Sequence, residues 1–196
     1  YIAAADSKSD AAITIKAYII GAVAAPTSSS KGCLYLQDAE GHGFYVYGPD
    51  LTGVDTSTRE TINAAFPVGA EAEVTGTVTK YSGTSEINKG CTVKLTGKTA
   101  EDNGVTLSYT DATDAFAKAS SNKDSSLDRY QSARVTLKGC IMKNVSSDGK
   151  YYYFTVGDSE VEFNVYKTNY LIENSDSPFK NWTVGSKFDI TGVVSV

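Results

Sequence analysis

The sequence contains few of the residues that most often carry catalysis or bind metal ions. Its 196 residues include one histidine, one tryptophan and three cysteines, which leaves little material for a zinc site or a Ser-His-Asp triad. No G-x-S-x-G, H-E-x-x-H, P-loop or dinucleotide-binding glycine pattern occurs. We therefore predict that the chain is not an enzyme, needs no cofactor and holds no metal ion.

Basic residues are in the minority, and long apolar runs are missing. The chain has 18 Lys and Arg against 23 Asp and Glu, a formal net charge of -5, and each half is slightly acidic. Proteins that bind duplex nucleic acid use clustered Lys and Arg to displace counterions, so a basic module of that kind is excluded. No run approaches the roughly 18 to 20 apolar residues that a membrane span needs.

The cysteines give no disulfide framework. Cys33, Cys91 and Cys140 show no C-x-x-C spacing, and an odd number cannot close into pairs. We expect three buried thiols, as is common for free cysteine. A bridge between Cys33 and Cys91 is left open by the sequence.

A repeat within the sequence indicates two copies of one domain. FPVGAEAEVTGTV at 66–78 resembles WTVGSKFDITGVV at 182–194, FYVY at 44–47 resembles FNVY at 163–166, and AYIIGAV resembles RVTLKGCIM. The three pairs recur in the same order at offsets of 116 to 119 residues. We predict domain 1 over residues 1–98, a linker over 99–110 and domain 2 over 111–196. Domain 2 has no evident fifth strand, which we expect either beyond residue 196 or in residues 104–109.

In the first copy, the hydrophobic pattern predicts three strands, a short helix and two more strands. The strands are expected at residues 13–23, 33–38, 44–47, 72–81 and 91–95. Gly21 lies late in strand one, where a bulge or sharp coil is expected. The helix over residues 57–66 is capped by Ser57 or Thr58 and ended by Pro67.

The second copy repeats this order. Its strands are expected at residues 133–145, 151–156, 161–166 and 187–196, with the short helix at 167–175. Helical patterns at 1–7 and 111–121 come before the first strand of each copy. We therefore predict an all-β fold with minor helix, built as two tandem OB-fold-like five-stranded Greek-key barrels, each preceded by a helix. A Greek-key sandwich is the main alternative, but it usually lacks a helix between strands three and four.

These elements resemble the OB-fold modules of secreted and surface-anchored proteins of gut Bacteroidetes. The resemblance rests on YIIGAV, LYLQD, FYVY and above all VTGTVTKYSGTSEI at 74–87, after a helix similar to AIAAADS. It covers most of both copies, but the second copy ends before the tyrosine-glycine turn and has FTVGD in place of YLQD. The resemblance implies an extracytoplasmic binding or accessory module, without a known ligand. Since the sequence begins in a helical pattern and ends in a strand pattern, we expect a fragment of a longer secreted or surface protein.

An OB-fold binds its ligands on the face of strands two and three, and alternation predicts which side chains lie there. In the first copy, Leu34, Leu36, Phe44 and Val46 should face the core. The outward side chains expected to bind a ligand are Tyr35, Gln37, Tyr45 and Tyr47 in the first copy, and Tyr151, Tyr153, Asn164 and Tyr166 in the second. Thr155 is expected to face outward with them. Tyrosine rings stack on sugars or nucleobases, although cross-strand tyrosine pairs also stabilise a sheet without any ligand.

Several other residues outside the tyrosine faces could have a metal-binding or a structural role. His42 lies in a turn, where a solvated role is expected. The carboxylates Asp38, Glu40, Asp158 and Glu160 follow strand two and could supply oxygen ligands to calcium, but turns favour Asp for backbone reasons. Trp182 and Phe66 occupy matching places in the repeat and are expected to pack in the core.

Three functions remain open at this point. The first is a non-enzymatic binding or accessory module that binds a glycan or a surface protein on the tyrosine faces. The second is single-stranded nucleic-acid binding, which the fold favours and the charge disfavours. The third is a structural spacer, which requires that Tyr35, Tyr45, Tyr151 and Tyr166 are buried and that no groove is open. The oligomeric state is not indicated by the sequence.

Overall fold

The structure is a computed structural model that describes residues 1–7, 11–23, 32–55, 57–88, 90–166 and 182–195. The chain forms two compact units. Unit 1 comprises residues 1–108, 130–134 and 193–196, and unit 2 comprises residues 109–129 and 135–192. The predicted fold class, all-β with minor helix in two OB-fold-like barrels that each follow a helix, is confirmed. Among the described residues, none of the helices combines the length and the apolar character that a membrane crossing requires.

Unit 1 contains a closed barrel. Its elements are α1 (Ile2–Asp6), β1 (Ala12–Val23), β2 (Cys33–Gln37), β3 (Gly43–Tyr47), α2 (Arg59–Ala65), β4 (Ala70–Tyr81), β5 (Thr84–Ile87) and β6 (Thr92–Thr99). Strand β1 pairs with both β2 and β4, and β3 lies parallel to β5. The ring therefore runs β1-β2-β3-β5-β4 and back to β1, which is the connectivity of an OB-fold.

The fifth strand of this ring is not the predicted one. We expected it at residues 91–95, but Thr84–Ile87 closes the barrel and β6 pairs with β4 outside the ring. Residues Ser82 and Gly83 both have positive φ, 50° and 96°. This conformation forms a two-residue hairpin turn of the type that matches strand twist. The turn connects β4 directly to the antiparallel strand β5.

The barrel core consists of apolar side chains from every strand of the ring and from α2. Ile19, Leu34, Leu36, Val46, Ile62 and Ile87 are completely buried. Helix α2 begins after Thr58, whose Oγ1 accepts a hydrogen bond from Thr61 N at 3.2 Å, so the predicted cap is confirmed. The β1–β2 register shifts between Ile19 and Gly21, which confirms the bulge that lets strand one coil around the barrel.

Unit 2 contains a five-stranded sheet. Its elements are β7 (Thr110–Asp111), α3 (Thr113–Lys118), a 3₁₀ helix (Ser125–Tyr130), β8 (Arg134–Val145), β9 (Tyr151–Val156), β10 (Phe163–Tyr166) and β11 (Lys187–Val193). The order is β10-β9-β8-β11, and β7 pairs with β8 in parallel. Residues 104–109 form no strand, and the predicted helix at 167–175 lies outside the described residues.

Aromatic packing supports the core of unit 2. Phe154 and Phe163 are buried, and Phe116 of α3 packs against Phe163 with ring centroids 4.9 Å apart and the rings tilted by 53°. Trp182 is half-buried and lies 4.1 Å from Phe188, centroid to centroid. The expected core position is therefore confirmed for the buried Phe66, whereas Trp182 packs against an aromatic neighbour but is only half-buried.

The three cysteines form no disulfide bond with one another. Cys33, Cys91 and Cys140 are all buried, which confirms the expectation from their number and spacing. The bridge between Cys33 and Cys91 is not formed.

Candidate functional site

The tyrosines predicted in the first copy lie together on one face of unit 1. Strands β2 and β3 pair with Tyr35 opposite Tyr45 and Cys33 opposite Tyr47. The ring centroids of Tyr35 and Tyr45 are 5.0 Å apart, and those of Tyr45 and Tyr47 are 6.5 Å apart. The Tyr45 hydroxyl donates to Cys33 Sγ at 3.0 Å, which fixes the ring on the sheet.

These tyrosines form one wall of a cavity of about 530 Å³, which we call the tyrosine cavity. The β4–β5 hairpin, whose strand β5 pairs with β3, supplies a neighbouring wall through Tyr81, Ser82, Thr84 and Glu86. Asn88, Ser132 and Ser195 complete its lining, and all of these residues belong to unit 1. Tyr81 is 70% exposed and Tyr47 is 36% exposed, so the cavity opens to solvent past these two rings.

Sequence reasoning missed Tyr81 and Glu86. Strand β5 lies parallel to β3 with Val46 opposite Ile87, and this pairing brings Glu86 beside Tyr45. Because β5 was not predicted as a strand, nothing in the alternation pattern connected its residues to β2 and β3. The available signal was the segment Tyr-Ser-Gly-Thr, which reads as a tight hairpin when the strand before it ends at Tyr81.

Glu86 is the charged group of the cavity. It is 6% exposed, and burial raises the pKa of its carboxyl. Among the described residues, no hydrogen bond or ion pair is formed by this carboxylate. Because Glu86 lines the cavity and water solvates a carboxylate poorly in such a recess, a ligand that enters the cavity can supply a direct interaction to it.

The groups around Glu86 are neutral at physiological pH. Burial, with a smaller contribution from the Cys33 thiol, raises the pKa of Tyr35 to about 12. Burial also raises the pKa of Tyr45 and that of Cys33, and the charge of Glu86 adds a little to both shifts. Within the described lining, the cavity therefore presents the neutral phenols of Tyr35 and Tyr45 beside the carboxyl group of Glu86.

The wall behind the cavity is held by the first residue of the chain. The Tyr1 hydroxyl donates to the carbonyl oxygen of Ser85, and Tyr45 N donates to that hydroxyl at 3.2 Å. The Tyr1 ring also contacts Phe44 edge-on, with centroids 5.2 Å apart. Residues of β3 and β5 are thus tied to one side chain, and this fixes the cavity's two walls relative to each other.

Gln37 does not contribute to this surface, and the prediction that it lies open to a ligand is wrong. It is 2% exposed. Its Nε2 donates to Ser108 O at 3.2 Å, and its Oε1 accepts from Arg134 N at 3.3 Å. Distant segments of unit 1 therefore cover this end of the sheet. A Cβ on Gly43, opposite Gln37, would collide with the backbone of Ser132 and Ala133, so glycine is required for that close approach.

The second predicted face also exists, on β9 and β10 of unit 2. Tyr151 pairs with Tyr166 and Tyr153 pairs with Asn164. The Tyr151 ring lies 4.9 Å from that of Tyr166 and 6.4 Å from that of Tyr153, centroid to centroid. Tyr151 is 37% exposed and Tyr166 is 52% exposed. The four residues share one open sheet face.

Thr155 is not part of that open face, so its prediction as an outward residue is wrong. It is 2% exposed, and its Oγ1 has no hydrogen-bond partner among the described residues. It lines a separate cavity of about 380 Å³ in unit 2, together with Lys143, Asp158, Glu160 and Glu162 among others.

Asp38, Glu40 and His42 form a cluster in the β2–β3 turn. Their ligand atoms all lie within 4.8 Å of one another. His42 N donates to Asp38 Oδ1 at 2.8 Å, and His42 Nδ1 lies 2.9 Å from Asp38 Oδ2. The hydrogen bonds of the turn itself account for this geometry.

Comparison with family models, with curated proteins and with solved structures found no match to this chain. The resemblance to secreted Bacteroidetes modules therefore stays a prediction, and the candidate function rests on the geometry of the tyrosine cavity.

Proposed function

We propose that this chain is a non-enzymatic binding module of a secreted or surface protein, and that it binds a glycan or a protein ligand in the tyrosine cavity. The observation that carries the proposal is the meeting of four tyrosines and one buried carboxylate around a single opening. Its volume of about 530 Å³ lies within the range of sites that accept small molecules or single side chains.

The chemistry of the lining suits binding rather than turnover. Aromatic rings supply flat apolar surfaces for stacking, and a carboxylate supplies hydrogen-bond acceptors for hydroxyl or amine groups. One carboxylate among phenols does not form the acid–base pair that glycoside hydrolysis uses. The lining therefore supports recognition of a ligand without a reaction.

Single-stranded nucleic acid is the weaker candidate. Its binding sites combine stacking aromatics with a positively charged groove, and no lysine or arginine lines the tyrosine cavity in the described residues. The spacer function is also less favoured. Of the four tyrosines that it requires to be buried, Tyr151 and Tyr166 are exposed, and the half-buried Tyr35 and Tyr45 line an open cavity.

The proposal is tested by screening the purified chain on glycan and peptide arrays and then measuring the strongest ligand by calorimetry. Tyr47→Ala and Tyr81→Ala remove two exposed rings at the mouth of the cavity. Each should weaken binding by about tenfold, from lost stacking. Tyr109→Ala, which removes a tyrosine that is 42% exposed and outside the cavity lining, should change affinity less than twofold. Equal losses in all three variants, or no ligand on either array, would overturn the proposal.

A further inference from the structure

Among the residues that the structure describes, the lining of the tyrosine cavity includes an acid but no base. Glu86 is the one charged side chain of this described lining, with four tyrosines and with serine, threonine and asparagine. The nearest lysine along β4, Lys80, forms an ion pair with Asp6, Nζ to Oδ1 at 2.9 Å. The described residues thus supply no counter-ion to a carboxylate that is 6% exposed.

The rings strengthen the preference for a positive ligand. The face of an aromatic ring carries a negative potential, which attracts ammonium groups placed over it. Tyr35, Tyr45 and Tyr47 follow each other at centroid distances of 5.0 and 6.5 Å, and Tyr81 lines the same cavity. Aromatic rings around a cation with a carboxylate beside them form a recognised arrangement for binding amines.

An inorganic cation does not fit this lining as well. Calcium takes six to eight oxygen ligands and magnesium requires a near-ideal octahedron, whereas one carboxylate is present here. The broad apolar ring surfaces suit a cation that carries carbon substituents. An anionic group is disfavoured because it would lie beside a carboxylate, with no neutralising base among the described lining residues.

From these observations we infer that the tyrosine cavity binds a protonated amine or quaternary ammonium group of its ligand, with Glu86 as the counter-ion. The inference rests on the proposed function and specifies the chemical group that the cavity accepts. The amine can come from an amino sugar or from a lysine side chain, since both present an alkylammonium group.

The test compares charged and neutral probes of matched shape by calorimetry. The first pair is the trimer of glucosamine and the trimer of N-acetylglucosamine. The second pair is Nα-acetyl-lysine amide and the same compound acetylated on Nε. Tetramethylammonium chloride tests the cation alone. The inference predicts that at least one amine binds about tenfold more tightly than its neutral partner, and the pair that responds identifies the source.

Two variants connect this preference to the carboxylate. Glu86→Gln keeps the shape and hydrogen-bonding capacity but removes the charge, and should weaken amine binding by about tenfold. Glu101→Gln, a matched change at an exposed turn residue, should leave it unchanged. Circular dichroism checks that both variants are folded. Tyr81→Ala gives a second test, because its ring is 70% exposed and its removal should also weaken amine binding.

The possible failures are distinct. If a neutral trimer binds as tightly as its amine partner, or if Glu86→Gln binds the amines as well as the unchanged chain, the inference is overturned while the proposed binding function stands. If no amine probe binds at millimolar concentration, the inference also falls, and the array experiment decides on the proposed function independently.

Discussion

Glu86 is the residue on which ligand binding in the tyrosine cavity depends most, because its carboxylate is 6% exposed and has no hydrogen-bond or ion-pair partner among the described residues. Such a group lowers stability in return for a binding function, a pattern expected at functional sites. Among the described residues, the titratable side chains that line the cavity with it or lie close to it are five phenols and one thiol: Tyr1, Cys33, Tyr35, Tyr45, Tyr47 and Tyr81. None of them supplies a positive charge at any pH.

Glu86→Gln should stabilise the folded chain at neutral pH, by about 1 kcal/mol. Burial raises the pKa of Glu86 in the folded state above the ordinary value of 4.5. The folded chain therefore binds this proton more tightly than the unfolded chain, and its stability falls as the pH rises through that raised pKa. Below the ordinary value both states are protonated, so the advantage of Gln should disappear.

Urea unfolding at pH 7 and near pH 4 measures this difference. The same protonation removes the counter-ion, so amine binding should weaken as the pH falls through the raised pKa of Glu86. A Glu86→Gln variant that is less stable than the unchanged chain at pH 7 would show that the carboxylate has a favourable partner, contrary to this account.

At the scale of elements, the β4–β5 hairpin completes both the barrel and the cavity. It brings Tyr81 and Glu86 into the same cavity lining as the tyrosines of β2 and β3. Sequence patterns predicted β1, β2, β3, β4 and α2 because their apolar residues recur with strand or helix periodicity. They missed β5 because Thr-Ser-Glu-Ile has one apolar residue, and because its pairing with β3 is long-range.

Gly83→Ala should loosen this hairpin. Gly83 has a φ of 96°, a conformation that costs a residue with a Cβ about 1 kcal/mol or more. We expect lower stability and weaker ligand binding, because the β5 carboxylate loses its fixed position. Ser82→Asn is the matched control, since asparagine is favoured at this turn position. Thermal melts and calorimetry should show that this variant is as stable as the unchanged chain and binds the ligand with the same affinity.

Contacts between residues far apart in the sequence also explain why Gln37 is buried although it was predicted to be open to a ligand. Alternation correctly placed it on the face of Tyr35, but its cover comes from Ser108 and Arg134, which are 71 and 97 residues away in sequence. No local pattern encodes such a contact. The faces of individual strands were therefore predictable, whereas their accessibility was not.

At the scale of the whole molecule, the repeat in the sequence appears again in strand pairing. Cys33 pairs with Tyr47 in β2–β3, and Tyr151 pairs with Tyr166 at the matching place in β9–β10. The repeat thus predicted two similar tyrosine faces. It did not predict that the face of unit 1 is part of a cavity, because the hairpin that forms the other wall aligns with no segment of the second copy.

The acidic balance of the chain predicts weak nucleic-acid binding. With 18 Lys and Arg against 23 Asp and Glu, the chain releases few counterions on contact with a phosphate backbone. A labelled single-stranded oligonucleotide should show no binding at physiological salt in fluorescence anisotropy. Tight binding that weakens steeply with salt and is lost on Tyr45→Ala would instead favour the nucleic-acid function.

The most direct test of the central claim is to locate the ligand by NMR. The purified, isotope-labelled chain is titrated with the best-binding array ligand or amine probe, and the backbone amide shifts are followed. The account predicts that the largest changes fall on residues 33–37, 43–47 and 81–88, around the tyrosine cavity. Changes concentrated on residues 151–166 instead, with the cavity unaffected, would contradict it.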